Sequence, residues 1–420
     1  MAAACFGAQS ALAKTFEISD KKGAQGAMPL TLREAYSLAL KTSETIAIND
    51  QVIREAEAHF LQALGTLLPH VSFSSQDIGQ DISGSPTSLR HSFERAFVFK
   101  QRLFSGFREF VGISAGRLER SQRINEKIRA QQLLYNDVSD AFYLLIEQRE
   151  DLRILQTVRN ALLDRIVELR QRIKVGRSRR SELVSTQAQL YIVDAQIETD
   201  KSQEAVARQL LEFLVGRSVG QLADTYIGPL AGRPESYYTA RSADRPDVKA
   251  SKQAWEVAKK ASYIAKTDFF PTIDAEGDYF AWRNTVPSDG KWEALLSINV
   301  PIFQGTDIIG NVKEANAKAE EARLTYLRLD RSAVQDIRDA YAQFTIGLSR
   351  NRALKKSLAA SEMDYYLQRS DYKLNLVNNL DVLTAIQTLE EARRNFTQSL
   401  YENERLYLSL LVASGENLPQ

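Results

Sequence analysis

The sequence predicts an α+β fold built twice over, with four amphipathic β-strands and very long α-helices that pair as coiled coils. Three observations predict it. The segment SFERAFVFKQRLFSG (92–106) returns 199 positions later as KWEALLSINVPIFQG (291–305), aligning Glu94 with Glu293, Phe99 with Ile298, Phe104 with Phe303 and Gly106 with Gly305. NDVSDAFYLL (136–145) meets QDIRDAYAQF (335–344) at the same offset, and LLPHVSFSS (67–75) meets FFPTIDAEG (269–277) at nearly the same one. So long a period marks a whole structural unit present twice, not a solenoid repeat. The other two observations are helical stretches free of breakers and strand segments that alternate apolar and polar residues.

The elements follow in order. Residues 1–13 are small and apolar and end in Ala11-Leu12-Ala13, the pattern of a signal-peptide cleavage site with its basic n-region missing. Cys5, the sole cysteine, follows three alanines as a lipid-attachment cysteine does, but lies too close to Met1 for a preceding apolar stretch. Cleavage after Ala13 leaves no cysteine and no disulfide. Residues 14–29 are a polar leader. The first repeat spans 30–230 and opens with a helical pattern from Leu30 to Leu68, where Thr31 is placed to cap and Glu34 to close a capping box. Pro69 ends that pattern. Strands are expected at 70–83 and 91–104, then long helices at 107–174 and 179–215. No Gly or Pro occurs between Arg117 and Val175. Leu134, Val138, Phe142, Leu145, Leu152, Leu155 and Leu162 recur there at spacings of three, four or seven. Such a helix reaches roughly 90 Å and requires coiled-coil packing.

Residues 231–245 form an equatorial link, and the second repeat, 246–413, copies the plan. A helix precedes Pro271, strands are expected at 271–283 and 291–302, and long helices at 306–373 and 378–413. Residues 414–420 are a tail. No proline falls between Ile302 and Leu418, which supports uninterrupted helices.

Period two sorts the strand residues onto two faces. Phe93, Phe97, Phe99, Trp292, Leu296 and Ile298 share the apolar face, with Arg95 as an exception. Glu94, Lys100, Arg102 and Glu293 lie on the polar one. The strands at 91–104 and 291–302 are long enough for tilted strands to cross hydrocarbon, and Phe104, Tyr279, Trp282, Trp292 and Phe303 crowd the strand ends as an interfacial girdle does. Four strands leave two open edges and cannot close a barrel alone, so the sequence calls for an oligomer that shares one. The competing reading is a soluble periplasmic coiled-coil scaffold in which the strands form an ordinary half-buried sheet.

Composition adds exclusions. A net charge of +1 gives no field that argues for nucleic acid. Mean hydropathy is −0.31 and no stretch approaches the length of a membrane-spanning helix, which says nothing about transmembrane strands. No phosphate loop, G-x-S-x-G or H-E-x-x-H motif occurs, and His59, His70 and His91 lack metal-ligand spacing. Acidic pairs such as Glu320-Glu321 and Glu390-Glu391 lie on long helices and read as solvated coiled-coil positions. The sequence therefore predicts no catalytic residue, cofactor or metal.

Over residues 30–413 the chain resembles the TolC-type outer-membrane efflux protein family. The resemblance rests on LTLREAYSLALKTS near the start, the LLP and FFP helix-to-strand transitions, LFSG and IFQG at strand exits, and NNLDVLTAIQTLEEAR in the last helix. It implies an α+β membrane protein in the outer membrane of a Gram-negative bacterium. A homotrimer gives twelve strands to one lipid-embedded barrel, and its long helices form a tunnel of roughly 100 Å across the periplasm. The implied function is an exit duct for small-molecule efflux or type I secretion, opened by a periplasmic adaptor and an inner-membrane transporter. Glu94, Lys100, Arg102 and Glu293 then face the barrel lumen.

In this family a Tyr, an Arg and two Asp residues hold the periplasmic gate closed. Tyr372 and Asp381 match the Tyr and the first Asp, while Val377 and Thr384 stand where the Arg and the second Asp are expected. A Tyr372–Asp381 hydrogen bond, or an intersubunit pair using Arg369, is the expected substitute. The adaptor-docking tip matches Val175, Gly176 and Arg177, with Leu374, Asn375 and Leu376 as the second-repeat equivalents. The first tip is unusually basic, carrying Arg170, Arg172, Lys174, Arg177, Arg179 and Arg180.

Overall fold

The computed structural model describes residues 29–81, 89–223, 232–284 and 290–416. The signal-peptide, Cys5 and most leader assignments lie outside them. The chain begins with α1 (Leu32–Thr42) and α2 (Glu44–Gly65), where the sequence had predicted one helix. Ser43 makes the break. Its backbone ends α1 while its hydroxyl accepts the Ile46 N–H as the cap of α2. At the other end of α1 the capping box forms, with Thr31 and Glu34 exchanging bonds of 3.1 and 3.2 Å.

Strands β1 (His70–Asp81) and β2 (Leu89–Phe104) follow, then α3 (Arg108–Lys174) and α4 (Arg180–Val215). The link to the second repeat holds a short helix, α5 (Glu235–Thr239), and a single 3₁₀ turn, Ser242–Asp244. It ends on Arg245, a guanidinium only 2% exposed that grips Asp247 at 2.7 Å and Asp336 at 3.1 Å. The second repeat comprises α6 (Pro246–Thr267), β3 (Thr272–Arg283), β4 (Trp292–Asn299), α7 (Asp307–Lys373) and α8 (Asn379–Ala413). Strand β2 starts two residues earlier than expected. β4 stops at Asn299 instead of reaching residue 302, because Pro301 has no N–H to continue the ladder.

Each of α3 and α7 has 67 residues, a rod of about 100 Å. They form hairpins with α4 and α8, and α3 also packs on α8, joining the hairpins side by side. Aliphatic and aromatic residues line these seams in separate clusters. One lies at the level of α1, around Phe142, Leu145 and Leu211; one near the hairpin ends, around Leu162, Leu169, Val193 and Ile386; one beside α5, around Ile337 and Phe344.

The four strands form one antiparallel sheet in the order β1-β2-β3-β4, so the two repeats meet at the β2–β3 pairing and β1 and β4 are its edges. The exits from β2 and β4 into the long helices both turn on glycine, Gly106 at φ 67° and Gly305 at φ 62°, a left-handed conformation open to residues without Cβ. The repeat alignment that paired these glycines is thus an alignment of backbone conformation.

Candidate functional site

The ladder fixes which strand residues share a face. Phe97 lies opposite both Phe73 and Tyr279, and Tyr279 opposite Trp292. Leu296 opposes Ala275 and Ile298 opposes Ile273 on that same face. Phe97, Phe99, Trp292, Leu296 and Ile298 are all exposed, Trp292 by 73%. Phe93 stacks edge-on against Trp282 at 5.6 Å, and the Arg95 guanidinium lies 5.8 Å from the same indole. This is how the one cation on the apolar face is accommodated.

The opposite face carries ion pairs. Lys100 meets Glu276 at 2.8 Å and Arg102 meets Asp274 at 3.0 Å, each pair also a register pair. Glu293 opposes Asp278, and Glu94 opposes Arg283. An extra residue in β3, Ala281, shifts the register between Arg95 and Ala96 and increases local twist. At the helix-proximal end of this face a cavity of about 760 Å³ is lined by Lys100, Arg102, Arg108, Asp274, Glu276 and Ser297.

At the far end of the rods, about 100 Å away, two hairpin tips lie side by side. They repeat the same turn. The Arg177 N–H donates to the Arg172 carbonyl and the Leu376 N–H to the Asp371 carbonyl, both at 2.9 Å. Gly176 (φ 71°) and Asn375 (φ 60°) take the left-handed position. Val175, Leu374, Leu376 and Leu380 are exposed by 65–71%.

Behind the tips lies a buried polar knot. Tyr372, 5% exposed, donates its hydroxyl to Glu182 at 3.3 Å. The guanidinium of Arg165 lies 3.6 Å from its ring centroid and that of Arg172 4.5 Å. Arg165 also donates to the Asn379 side-chain oxygen at 3.0 Å, and the Asn379 amide returns bonds to Thr186 (3.1 Å) and the Glu182 carbonyl (3.3 Å). The knot ties α7 and α8 to α3 and α4.

Within the protomer, the Tyr372 hydroxyl bonds to Glu182 and not to Asp381. Asp381 closes a capping box with Asn378 (2.9 and 3.2 Å) at the start of α8, where a carboxylate also complements the helix dipole. Val377 is half-buried against the apolar cluster and Thr384 is exposed. Sequence reasoning missed Arg165, Glu182 and Thr186, which belong to no motif, and gave no role to Asn379, which lies within NNLDVLTAIQTLEEAR. The available signal was an apolar-seam position on α3 occupied by arginine and an Asn-Asn pair at the start of α8.

A second polar seam runs between α3, α4 and α8. Arg394 lies 3.2 Å from Asp200 and 3.6 Å from Asp151, and Arg405 lies 3.0 Å from Glu147. Glu404 is 2% exposed with its Oε1 lacking a partner among the described residues. Desolvation pushes the carboxyls of Glu147 and Glu404 up to about 7, with Arg405 opposing the shift at Glu147. Glu390, expected to be solvated, is buried at 7%. It faces the seam, and only Glu391 points outward.

Comparisons with known proteins agree with this architecture. The family model for outer membrane efflux proteins matches residues 238–416. The alkaline protease secretion protein AprF of Pseudomonas aeruginosa is 23% identical over 93% of this chain and 87% of its own length. The outer membrane protein TolC of Vibrio cholerae is 20% identical over 83% of this chain and 82% of its own. The solved structure of the outer membrane protein VceC from Vibrio cholerae superposes with a TM-score of 0.81 at 17% identity, covering 92% of this chain and 96% of that one. With a duplicated strand-pair and helical-hairpin plan, a face-segregated sheet and paired helical tips, the chain shares the fold of outer-membrane channel proteins, and its second repeat matches the outer membrane efflux protein family model.

Proposed function

We propose that this chain is the outer-membrane exit duct of an efflux or type I secretion apparatus, working as a homotrimer in the outer membrane of a Gram-negative bacterium. The observation that carries this reading is the sheet. It is apolar and exposed on one face, ion-paired on the other, and open at β1 and β4. Open edges are not tolerated in hydrocarbon, and four strands are too few to close. Three copies supply twelve strands, with β4 of one pairing β1 of the next. Lipid then covers Phe97, Phe99, Trp292, Leu296 and Ile298, while Glu94, Lys100, Arg102 and Glu293 line the lumen. A soluble scaffold leaves that apolar face in water, where patches of this size are rare.

The helical rods continue the pore into the periplasm. The tips at Val175–Arg177 and Leu374–Leu376 receive a periplasmic adaptor, and the inner-membrane transporter behind it supplies the energy; no catalytic step is assigned to the duct. The closed tip is held by the knot of Tyr372, Arg165, Glu182 and Asn379, in place of the charged set that Val377 and Thr384 replace. Membrane fractionation tests the reading, together with trimer mobility on unheated gels and conductance in planar bilayers. The expected result is an outer-membrane trimer that conducts ions. A monomer in the soluble periplasmic fraction overturns it.

A further inference from the structure

We infer that the α3–α4 tip is built to receive carboxylates, so that the adaptor docks there through an acidic segment. This inference rests on reading the tip as the adaptor-facing end. Residues 169–181 contain six cations (Arg170, Arg172, Lys174, Arg177, Arg179, Arg180) and no acid. The equivalent stretch of the second repeat, 368–380, contains Arg369, Lys373 and Asp371. Arg172 is engaged with Glu168 at 3.3 Å and Asn375 at 3.4 Å. The other five side chains are exposed and make no ion pair or hydrogen bond among the described residues.

Helix electrostatics accounts for only half of this patch. Arg170 and Lys174 lie in the last turn or so of α3, where cations oppose the negative end of the dipole. Arg179 and Arg180 lie at the start of α4, where the dipole is positive and cations are disfavoured. Arg179 occupies the N-cap position and makes no side-chain cap bond. Its repeat equivalent, Asn378, caps α8 and shares a capping box with Asp381. One repeat keeps the local helix-start preference, and the other forgoes it for a cation.

The patch therefore adds guanidinium groups to the positive end of a helix, a combination that attracts anions. Arginine outnumbers lysine in it, and the guanidinium fork pairs with carboxylate in a bidentate fashion. Beside the patch stand the exposed Leu374 and Leu376 of the neighbouring tip. An apolar centre with a charged rim is the layout of a protein–protein interface. Exposed charges are screened over about 8 Å at physiological salt, so attraction through this patch acts at close range and depends on ionic strength.

The test uses the full chain in nanodiscs and a fluorescein-labelled helical peptide with glutamates along one face. A glutamine counterpart and phosphatidylglycerol vesicles serve as comparison ligands. The glutamate peptide is expected to bind, to lose at least about tenfold in affinity between low and moderate salt, and to lose at least about tenfold in an R177Q/R179Q/R180Q variant. Arg179→Asn keeps the fold under scrutiny. It restores a cap, so thermal stability is expected to rise while peptide affinity falls, a pairing that a folding defect does not produce. Equal affinity of wild type and triple variant, or equal binding of the glutamine peptide, overturns the inference. So does vesicle binding that exceeds peptide binding and vanishes in the same variant, which assigns the patch to a membrane. Conductance of the same preparation is read separately: peptide binding without conductance removes the duct reading and leaves the acidic-partner chemistry standing.

Discussion

In the proposed duct, the knot behind the tips sets a measurable energy for closure. Tyr372→Phe keeps the ring between Arg165 and Arg172 and removes only the 3.3 Å bond to Glu182. Hydrogen bonds to charged groups contribute about 1.5–3 kcal/mol, and this long one belongs at the lower end. Arg165→Met removes more. Asn379, 1% exposed, loses the donor to its side-chain oxygen, a loss of about 1–3 kcal/mol. The nearly buried cation over the Tyr372 ring contributes about 2 kcal/mol. The ion pair with Glu168 adds little, because that carboxylate is half-exposed and also engaged by Arg172. The Arg165 Nη2, buried without a partner among the described residues, offsets part of the loss. The net is about 3 kcal/mol per protomer, against about 1.5 for Tyr372→Phe. At about 1.4 kcal/mol per tenfold, the resting open population rises about tenfold in Tyr372→Phe and about a hundredfold in Arg165→Met. Planar-bilayer recordings at fixed voltage read this directly. Wild-type resting conductance in Arg165→Met, or a larger effect in Tyr372→Phe than in Arg165→Met, refutes the knot as the closing element.

Two further substitutions and one titration follow from the same geometry. Leu296→Arg puts a charge on the exposed apolar face at mid-strand and is expected to cost about 2–4 kcal/mol and abolish assembly, whereas Ser297→Arg on the opposite face assembles normally. Equal trimer yields in detergent overturn the assignment of faces. The Glu404 carboxyl titrates near about 7 when folded against 4.5 as its ordinary value. Its raised value favours the protonated folded form, so this contribution is full below about 4.5 and is lost as pH rises towards about 7. Glu404→Gln is therefore expected to shrink the fall in thermal stability between about pH 5 and pH 8. An unchanged pH slope in calorimetry removes Glu404 from the account.

Much of the architecture was legible because it depends on periodicity and punctuation. Long stretches without Gly or Pro specify the rods, alternation specifies the faces of the strands, and the Gly106–Gly305 alignment marks equivalent turns. The single helix expected over residues 30–68 shows the limit of that approach. Ser43 is neither Gly nor Pro, and beside the cap its hydroxyl provides, Thr42 bonds the Leu214 carbonyl of α4 at 3.3 Å, a contact 172 positions away. The tip was less legible for a related reason. Tyr372 was singled out, but its partners lie 190 and 207 positions away, at Glu182 and Arg165, and nothing local to either announces the contact. Within the protomer Asp381 is engaged locally, because a carboxylate three residues after Asn378 satisfies its own helix start. Buried Glu390 and exposed Glu391 are adjacent, and only the rotation of α8 against α3 distinguishes them.

The β2–β3 pairing bears on the order in which the molecule comes together. Phe97 and Tyr279 are partners across some 180 residues, and every ladder bond between the two repeats spans a comparable loop. The α3–α4 and α7–α8 hairpins, by contrast, close between neighbouring segments. Contacts of long sequence separation form late, because the entropy of closing the loop must be overcome before they contribute. The rods are therefore expected to form while the strands are still unpaired, so the apolar face comes together only on a body whose polar rods are already folded. Pulse-labelled hydrogen exchange during refolding in detergent is expected to protect α3 and α7 amides before those of β2 and β3. The reverse order would mean that the sheet templates the rods. On the proposed reading of an outer-membrane duct, which crosses an aqueous compartment before meeting lipid, late sheet closure keeps its least soluble surface unassembled until the end of the journey.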